Sequence, residues 1–450
     1  MAESSKKIGI WTSTSFVVGS MIGAGVFVVP AAMASYGSVS LLGWIFSAIG
    51  AFFLARVFGG LSERIPKSVG GPYAYTRYGF GDFAGFMIGW GYYISNITAN
   101  AAITVSFVSA MTTFFPLLGT NSLAAVITGL AAIWFLSWVN VLGMQTSAKL
   151  QLVTSVLKLL PLFIISVGGL FFIRLANFHV FNASGGSVYD AINATATIAL
   201  FSFVGLECIT IPADGVENPQ KTIARATMLG LAICTVVYLL GSISIMGMLP
   251  PAQLKSSPTP YADAAAIMFG NKARYWASGG VAIAALGALN GWTLIQGKLP
   301  YAIAKDKLFP GIFGKQNKAG APYMGIVISS IFVSGFMAMN YTKGLVEQFK
   351  FLLVLSTLCV LIPYLFCTAT YIIIRLKTKH RSKGSWITGV IVGSLAFLFS
   401  MWAIVGSGQN AVYWGFLCLM AGLPFYVWLA YKKGEEEIKG PEKSAISPTD

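Results

Sequence analysis

Two stretches decide the reading: GSMIGAGVFVVP, residues 19–30, and FVGLECITIP, residues 203–212. Each places a glycine seven residues before a proline, Gly23 before Pro30 and Gly205 before Pro212, and the two lie 182 residues apart. Both sit in apolar segments long enough to cross a bilayer, which takes roughly 20 residues. Glycine leaves helical geometry at little cost, and proline breaks the hydrogen-bond ladder upstream of it. Both segments therefore read as helices interrupted at membrane depth. Unwound backbone survives there only where it is buried in protein or lines a cavity. The half-helix ends expose N–H groups that suit a carboxylate and C=O groups that suit an ammonium. One break thus matches both charges of an amino-acid zwitterion. A single glycine pair more often serves only close helix packing; two breaks in matching positions argue against that.

Working outward, the 450 residues are 56% hydrophobic and only 10% charged, with a mean hydropathy of +0.73. A soluble domain carries about 25% charged residues. Soluble, disordered, coiled-coil, collagen-like and disulfide-stapled chains are excluded, which leaves an all-α polytopic membrane protein. The apolar runs predict about twelve transmembrane helices, near 9–34, 40–58, 83–115, 122–143, 148–173, 187–213, 223–248, 274–304, 323–341, 347–375, 386–406 and 410–431. The polar MAESSKK start and the long apolar run after it do not read as a cleavable signal peptide. Each break opens a set of five spans. An odd number reverses the second copy, so 9–173 and 187–375 read as an inverted 5+5 repeat with broken helices 1 and 6. Residues 386–431 supply two extra helices and 432–450 a polar tail, all in one transmembrane domain, 1–450. With the N-terminus inside, 23 of the 30 Lys and Arg fall in cytoplasmic segments and six outside. That split places both ends in the cytoplasm, in a cell membrane. It also accounts for the net charge of +15 with membrane lipids as the partner and no nucleic acid.

One basic residue stays inside a span, Lys158, in LVTSVLKLLPLFI; Glu207 sits at the second break. Ionisable groups at that depth are rare and usually functional. Lys158 could provide a fixed or protonatable cation where other transporters bind sodium; the bland alternative is snorkelling to an interface. Glu207 could read a substrate cation or a proton, or form a structural pair. Trp292, in LNGWTLIQ, offers an indole for stacking on a flat or cationic group, or simply packs. Asn96 and Asn100 on span three, and Ser356 and Thr357 on span ten, are either site ligands or interhelical hydrogen bonders. His179 and His380 stand alone in predicted loops, and the five cysteines lie in apolar segments as small hydrophobes. No catalytic triad, phosphate loop or metal spacing is present, so no enzyme activity, cofactor or metal is expected.

With these motifs in hand, the chain resembles the amino acid–polyamine–organocation transporters, most of all their basic amino acid/polyamine antiporters. The resemblance is carried by GSMIGAGVFVVP (19–30), SVGGPYAYTRYGFG (68–81), SFVGLE (202–207), VENPQK (216–221), IMGMLP (245–250), NGWTL (290–294), DKLFPGIFGKQNKAGAP (306–322) and WAIVGSG (402–408). It implies a LeuT-like fold, often paired as a homodimer, with sodium-independent exchange or proton-coupled transport by alternating access. By position it implies that a substrate carboxylate meets the amides of Ala24 and Gly25, beside Gly23. The α-ammonium would meet carbonyls of Met21, Phe201 and Val204. Trp292 would stack on the side chain, Asn100 would line the far end, and Glu207 would link span six to the gate and sense protons. Ser20, Phe201, Asn96 and Val354 depart from that family's arginine-binding pattern, where Asn, Trp, Cys and Ser are expected. Lys158 is instead similar to a lysine of proton-coupled neutral amino acid transporters. The substrate implied is a cationic amino acid or its decarboxylated amine, with a neutral amino acid as the alternative.

Overall fold

The structure, a computed structural model, describes residues 7–27, 29–65, 69–257, 259–339, 345–377 and 383–438. His380 and the side chain of Val354 lie outside what is described, as does the tail beyond 438. The described residues fold as α-helices joined by turns. Ten helices are long and apolar enough to cross a membrane; the interrupted first segment and the 17-residue Tyr323–Met339 complete the bundle.

The first segment is broken where the glycines place it: α1 (Ile10–Met21), a 3-10 turn (Ala24–Phe27), then α2 (Val29–Ala34). There follow α3 (Ser40–Arg64), α4 (Pro72–Met111), α5 (Ser122–Val141) and α6 (Met144–Gly168). The second broken segment is α7 (Val188–Leu200), continued only by short 3-10 turns at Phe201–Phe203, Cys208–Thr210 and Ala213–Gly215. The chain then runs through α8 (Pro219–Met248), α9 (Ala273–Lys305), α10 (Tyr323–Met339), α11 (Leu345–Lys377), α12 (Lys383–Gly406), α13 (Gln409–Met420) and α14 (Leu423–Ile438).

The helices differ most from the hydropathy reading in the third and last spans, and α3 also runs six residues past the predicted 58. The third span starts at Pro72, eleven residues before the predicted 83, because proline at the first helical position costs no hydrogen bond. Gly81, at φ +85°, then kinks it. The last span divides after Met420, and α14 continues to Ile438, so residues 432–438 of the polar tail are helical.

Small residues set the helix spacing, as expected where lipid gives no hydrophobic drive for helix association. A Cβ on Gly325 of α10 would come within 3.0 Å of the Gly297 carbonyl of α9. A Cβ on Gly43 of α3 would approach the Ala196 amide of α7 to 2.7 Å, and Ser47 donates to the Ala196 carbonyl at 2.6 Å beside it. α9 is the most enclosed of the ten long apolar helices among the described residues, packed between α4, α6 and α10. It carries Asn290, Trp292 and Gln296 into the centre of the bundle.

Candidate substrate site

The two breaks meet in the bundle centre. Gly205 has φ +103°, a left-handed backbone that only glycine adopts without strain. A Cβ there would lie 3.2 Å from both Ser20 Cβ and Trp292 Cζ2. The second break therefore touches the first break and α9 through a position where a Cβ would be tightly crowded. Gly205→Ala should cost about 1–3 kcal/mol from the backbone alone, lowering the melting temperature and slowing transport together. An unchanged melting curve would show that the left-handed turn is dispensable.

At the first break, Lys158 is fully buried at 0% exposure. Its Nζ donates to the Gly19 carbonyl at 2.8 Å and the Ile22 carbonyl at 2.5 Å. The snorkelling alternative is thereby ruled out. The ammonium caps the open C-terminal end of α1, where carbonyls lack intrahelical partners and the helix dipole is negative. Among the described residues it forms no salt bridge with a carboxylate. The α6 face continues with Ser155, which donates to the Ser15 carbonyl at 3.0 Å. Gln151 sits so close that a Cβ on Gly19 would overlap its amide.

At the second break, Glu207 is also at 0% exposure and held at both oxygens. Tyr92 of α4 donates to Oε1 at 2.5 Å, and Tyr364 of α11 donates to Oε2 at 2.5 Å. The Gly205 N–H adds a 3.2 Å bond to Oε2. The structural-pair alternative for Glu207 is therefore realised, with two phenols rather than a cation. An ionised carboxylate is acceptor-only and can take both hydroxyls; a protonated one has a donor at one oxygen, so one hydroxyl bond must reorganise. The arrangement joins α4 and α11 through the break.

Trp292 is 6% exposed. Its Nε1 donates to the Ser20 carbonyl at 3.3 Å, and its ring lies 6.5 Å from that of Tyr92. Asn96 donates to the Trp292 carbonyl at 3.4 Å. Asn100 Nδ2 donates to Gln296 Oε1 at 2.7 Å and to Asn96 Oδ1 at 3.3 Å, leaving its own buried Oδ1 without a partner. Ser356 is buried against α4, its carbonyl accepting from Ser95 Oγ at 3.0 Å. Gly25 is exposed, and Gly23, Phe201 and Val204 are half-buried, while Asn96, Asn100 and Glu207 are sealed. The Met21 carbonyl accepts from the Gly23 amide at 3.0 Å. Ala24 and Gly25 open the 3-10 turn, whose first N–H groups have no intrahelical acceptor. The structure thus brings Met21, Gly23, Ala24, Gly25, Phe201, Val204, Asn96, Asn100 and Trp292 into one region, with Lys158 behind the first break and Glu207 beneath the second.

Compared with protein families, residues 8–429 match the model described as amino acid permease. The chain belongs to the amino acid permease family. The permease is 30% identical over 464 residues to the arginine/agmatine antiporter of Chlamydia pneumoniae, covering 99% of this chain and 95% of that protein. It is 30% identical over 433 residues to the cadaverine/lysine antiporter of Escherichia coli (strain K12), covering 94% and 95%. It is a multi-pass membrane transporter and not an enzyme.

Several groups escaped the sequence reading. Tyr92 and Tyr364 look like ordinary apolar residues of their spans, and only their hydroxyls betray them. Asn290 lies inside the quoted NGWTL motif. It bonds Asn140 at 3.1 Å, Gln151 at 2.9 Å and the Ser147 carbonyl at 3.0 Å, tying α5, α6 and α9 together behind the site. At the end of the permease that holds Ile8, polar pairs tie the bundle together. Lys298 meets Asp214 at 2.8 Å, and Asp306 accepts from Tyr73 at 2.8 Å and pairs with Arg77 at 2.7 Å. Ile8 pairs with the backbone of Gly215 and Glu217 just past the second break. Tyr73, Arg77 and Asp306 fall inside the quoted motifs 68–81 and 306–322, but their pairing, far apart in the sequence, is not marked by either.

Proposed function

We propose that the permease exchanges a cationic amino acid for its decarboxylated amine across the cell membrane, without sodium and by alternating access, with both chain ends cytoplasmic. The observation that carries the sodium independence is Lys158: its Nζ occupies the carbonyls of Gly19 and Ile22 at the break, where a free metal cation would otherwise bind. The substrate carboxylate docks on the amides of Ala24 and Gly25, and its α-ammonium on carbonyls of Met21, Phe201 and Val204. Trp292 stacks on the side chain, with Asn96, Asn100 and Ser356 at its far end. Glu207 transmits proton binding to α4 and α11 through Tyr92 and Tyr364. The Lys298–Asp214 pair and the exposed Gly25 support a state open to the opposite side. The inverted repeat 9–173 and 187–375 supplies the two halves that rock against each other.

The antiporter relatives support the cationic substrate. A neutral amino acid is the second reading. It is favoured by the uncharged far wall of Asn96, Asn100 and Ser356, whose neighbouring carboxylate Glu207 is already engaged by two tyrosines. Counterflow of labelled arginine, ornithine, lysine, alanine and putrescine in proteoliposomes, with and without sodium and at two pH values, separates them. Acceleration by neutral substrates alone would sink the cationic reading, and a sodium requirement would sink the exchanger. Trp292→Leu should weaken binding of the accepted substrate about tenfold, by loss of a desolvated cation–π or stacking contact. Unchanged affinity by calorimetry would make Trp292 a packing residue.

A further inference from the structure

We propose that a pocket between α3, α11 and α12 binds the phosphate of an anionic phospholipid headgroup. The cavity, about 200 Å³, is lined among others by Arg56, Tyr371, Arg375, Ser385 and Thr388. It lies at the end of the bundle that carries Ile8, so it faces the cytoplasmic leaflet in the orientation proposed above.

The Arg375 guanidinium is held for recognition rather than left waving. Its Nε and Nη2 donate to the Tyr371 hydroxyl at 3.0 and 2.7 Å, and Nη1 reaches the Ser385 carbonyl at 3.5 Å. It lies flat on Gly389, where a Cβ would come within 2.5 Å of Nε. Arg56 faces it from α3, exposed and without an ion pair among the described residues. Among the described residues no carboxylate lines the cavity. Lys377 follows two residues after Arg375 on α11 and is exposed. Two guanidiniums, with the hydroxyls of Tyr371 and Ser385 and the first-turn amides of α12, form a donor set matched to phosphate oxygens. Positive charge left uncompensated at a membrane face attracts anionic lipid.

A lipid is favoured over a soluble anion because an acyl path adjoins the pocket. Phe52 is one turn from Arg56 on α3 and 43% exposed; Ile391 and Leu395 beside Val392 on α12 are 52% and 39% exposed. An anchored headgroup would set its chains along these surfaces.

Native mass spectrometry of the purified full-length transporter with added phosphatidylglycerol or phosphatidylcholine tests this. Wild type should retain phosphatidylglycerol preferentially. Arg56→Gln, at an exposed position that leaves folding and melting temperature unchanged, should lower that retention about fivefold, the loss of one near-surface basic contact. Arg174→Gln, at the opposite end, should not. Equal retention in wild type and Arg56→Gln overturns the site, and equal retention of phosphatidylcholine overturns its preference for anionic lipid. Displacement of phosphatidylglycerol by millimolar inorganic phosphate would reassign the pocket to a soluble anion.

Discussion

Lys158→Ala should fold and reach the membrane but transport about a hundredfold more slowly or worse. The buried ammonium makes two charge-assisted hydrogen bonds to the Gly19 and Ile22 carbonyls. Each such bond contributes about 1.5–3 kcal/mol, so together they hold the end of α1 against α6 by some 3 kcal/mol or more. Folding is spared because removing the lysine also removes the cost of burying its charge, and water can enter the truncated space to satisfy the carbonyls. What is lost is the fixed geometry of the break on which the substrate is to dock. Lys158→Met separates charge from volume: it keeps the stem and should fail like alanine. Exchange assays in proteoliposomes across pH, alongside thermal stability, measure both consequences. Turnover and pH dependence equal to wild type in Lys158→Ala would remove the lysine from the mechanism.

Glu207→Gln is the second large effect. The carboxylate accepts from Tyr92 and Tyr364 at 2.5 Å each, and from the Gly205 amide at 3.2 Å. An amide keeps one oxygen and turns the other position into a donor, so one tyrosine must rotate or lose its bond. The loss of a bond to a charged group, about 1.5–3 kcal/mol, corresponds to a ten- to hundredfold slower exchange. The variant should also lose the pH response, because the amide does not titrate. Tyr364→Phe should slow exchange less than Glu207→Gln, and the double variant should add little to the single one, since both break the same link. A Glu207→Gln permease with an intact pH profile would move proton sensing elsewhere.

The broken helices were legible from the start because their causes are local. Gly23 and Pro30, or Gly205 and Pro212, interrupt a helix wherever it packs, and hydropathy over about 20 residues marks a span without knowledge of its neighbours. The reading failed where local signals compete. Pro72 and the Gly81 kink extend the third span into a polar stretch that hydropathy excludes, and α14 carries charged residues into a helix past the predicted membrane edge. Lys158 and Glu207 stood out because an ionisable group in an apolar run is costly wherever it points. Their partners did not stand out. The hydroxyls of Tyr92 and Tyr364 are chemically ordinary, and the Gly19 and Ile22 carbonyls belong to the backbone, which every residue has.

The sequence by itself determined that this chain is a helical membrane bundle, that two of its helices break at membrane depth, and that two buried ionisable groups lie near those breaks. Tertiary structure alone decided what those groups do. Lys158 meets a carbonyl 139 positions away, and Glu207 takes hydroxyls from 115 and 157 positions away. Burial makes a polar group find a partner; the packing of α4, α6 and α11 around the breaks selects which partner it finds.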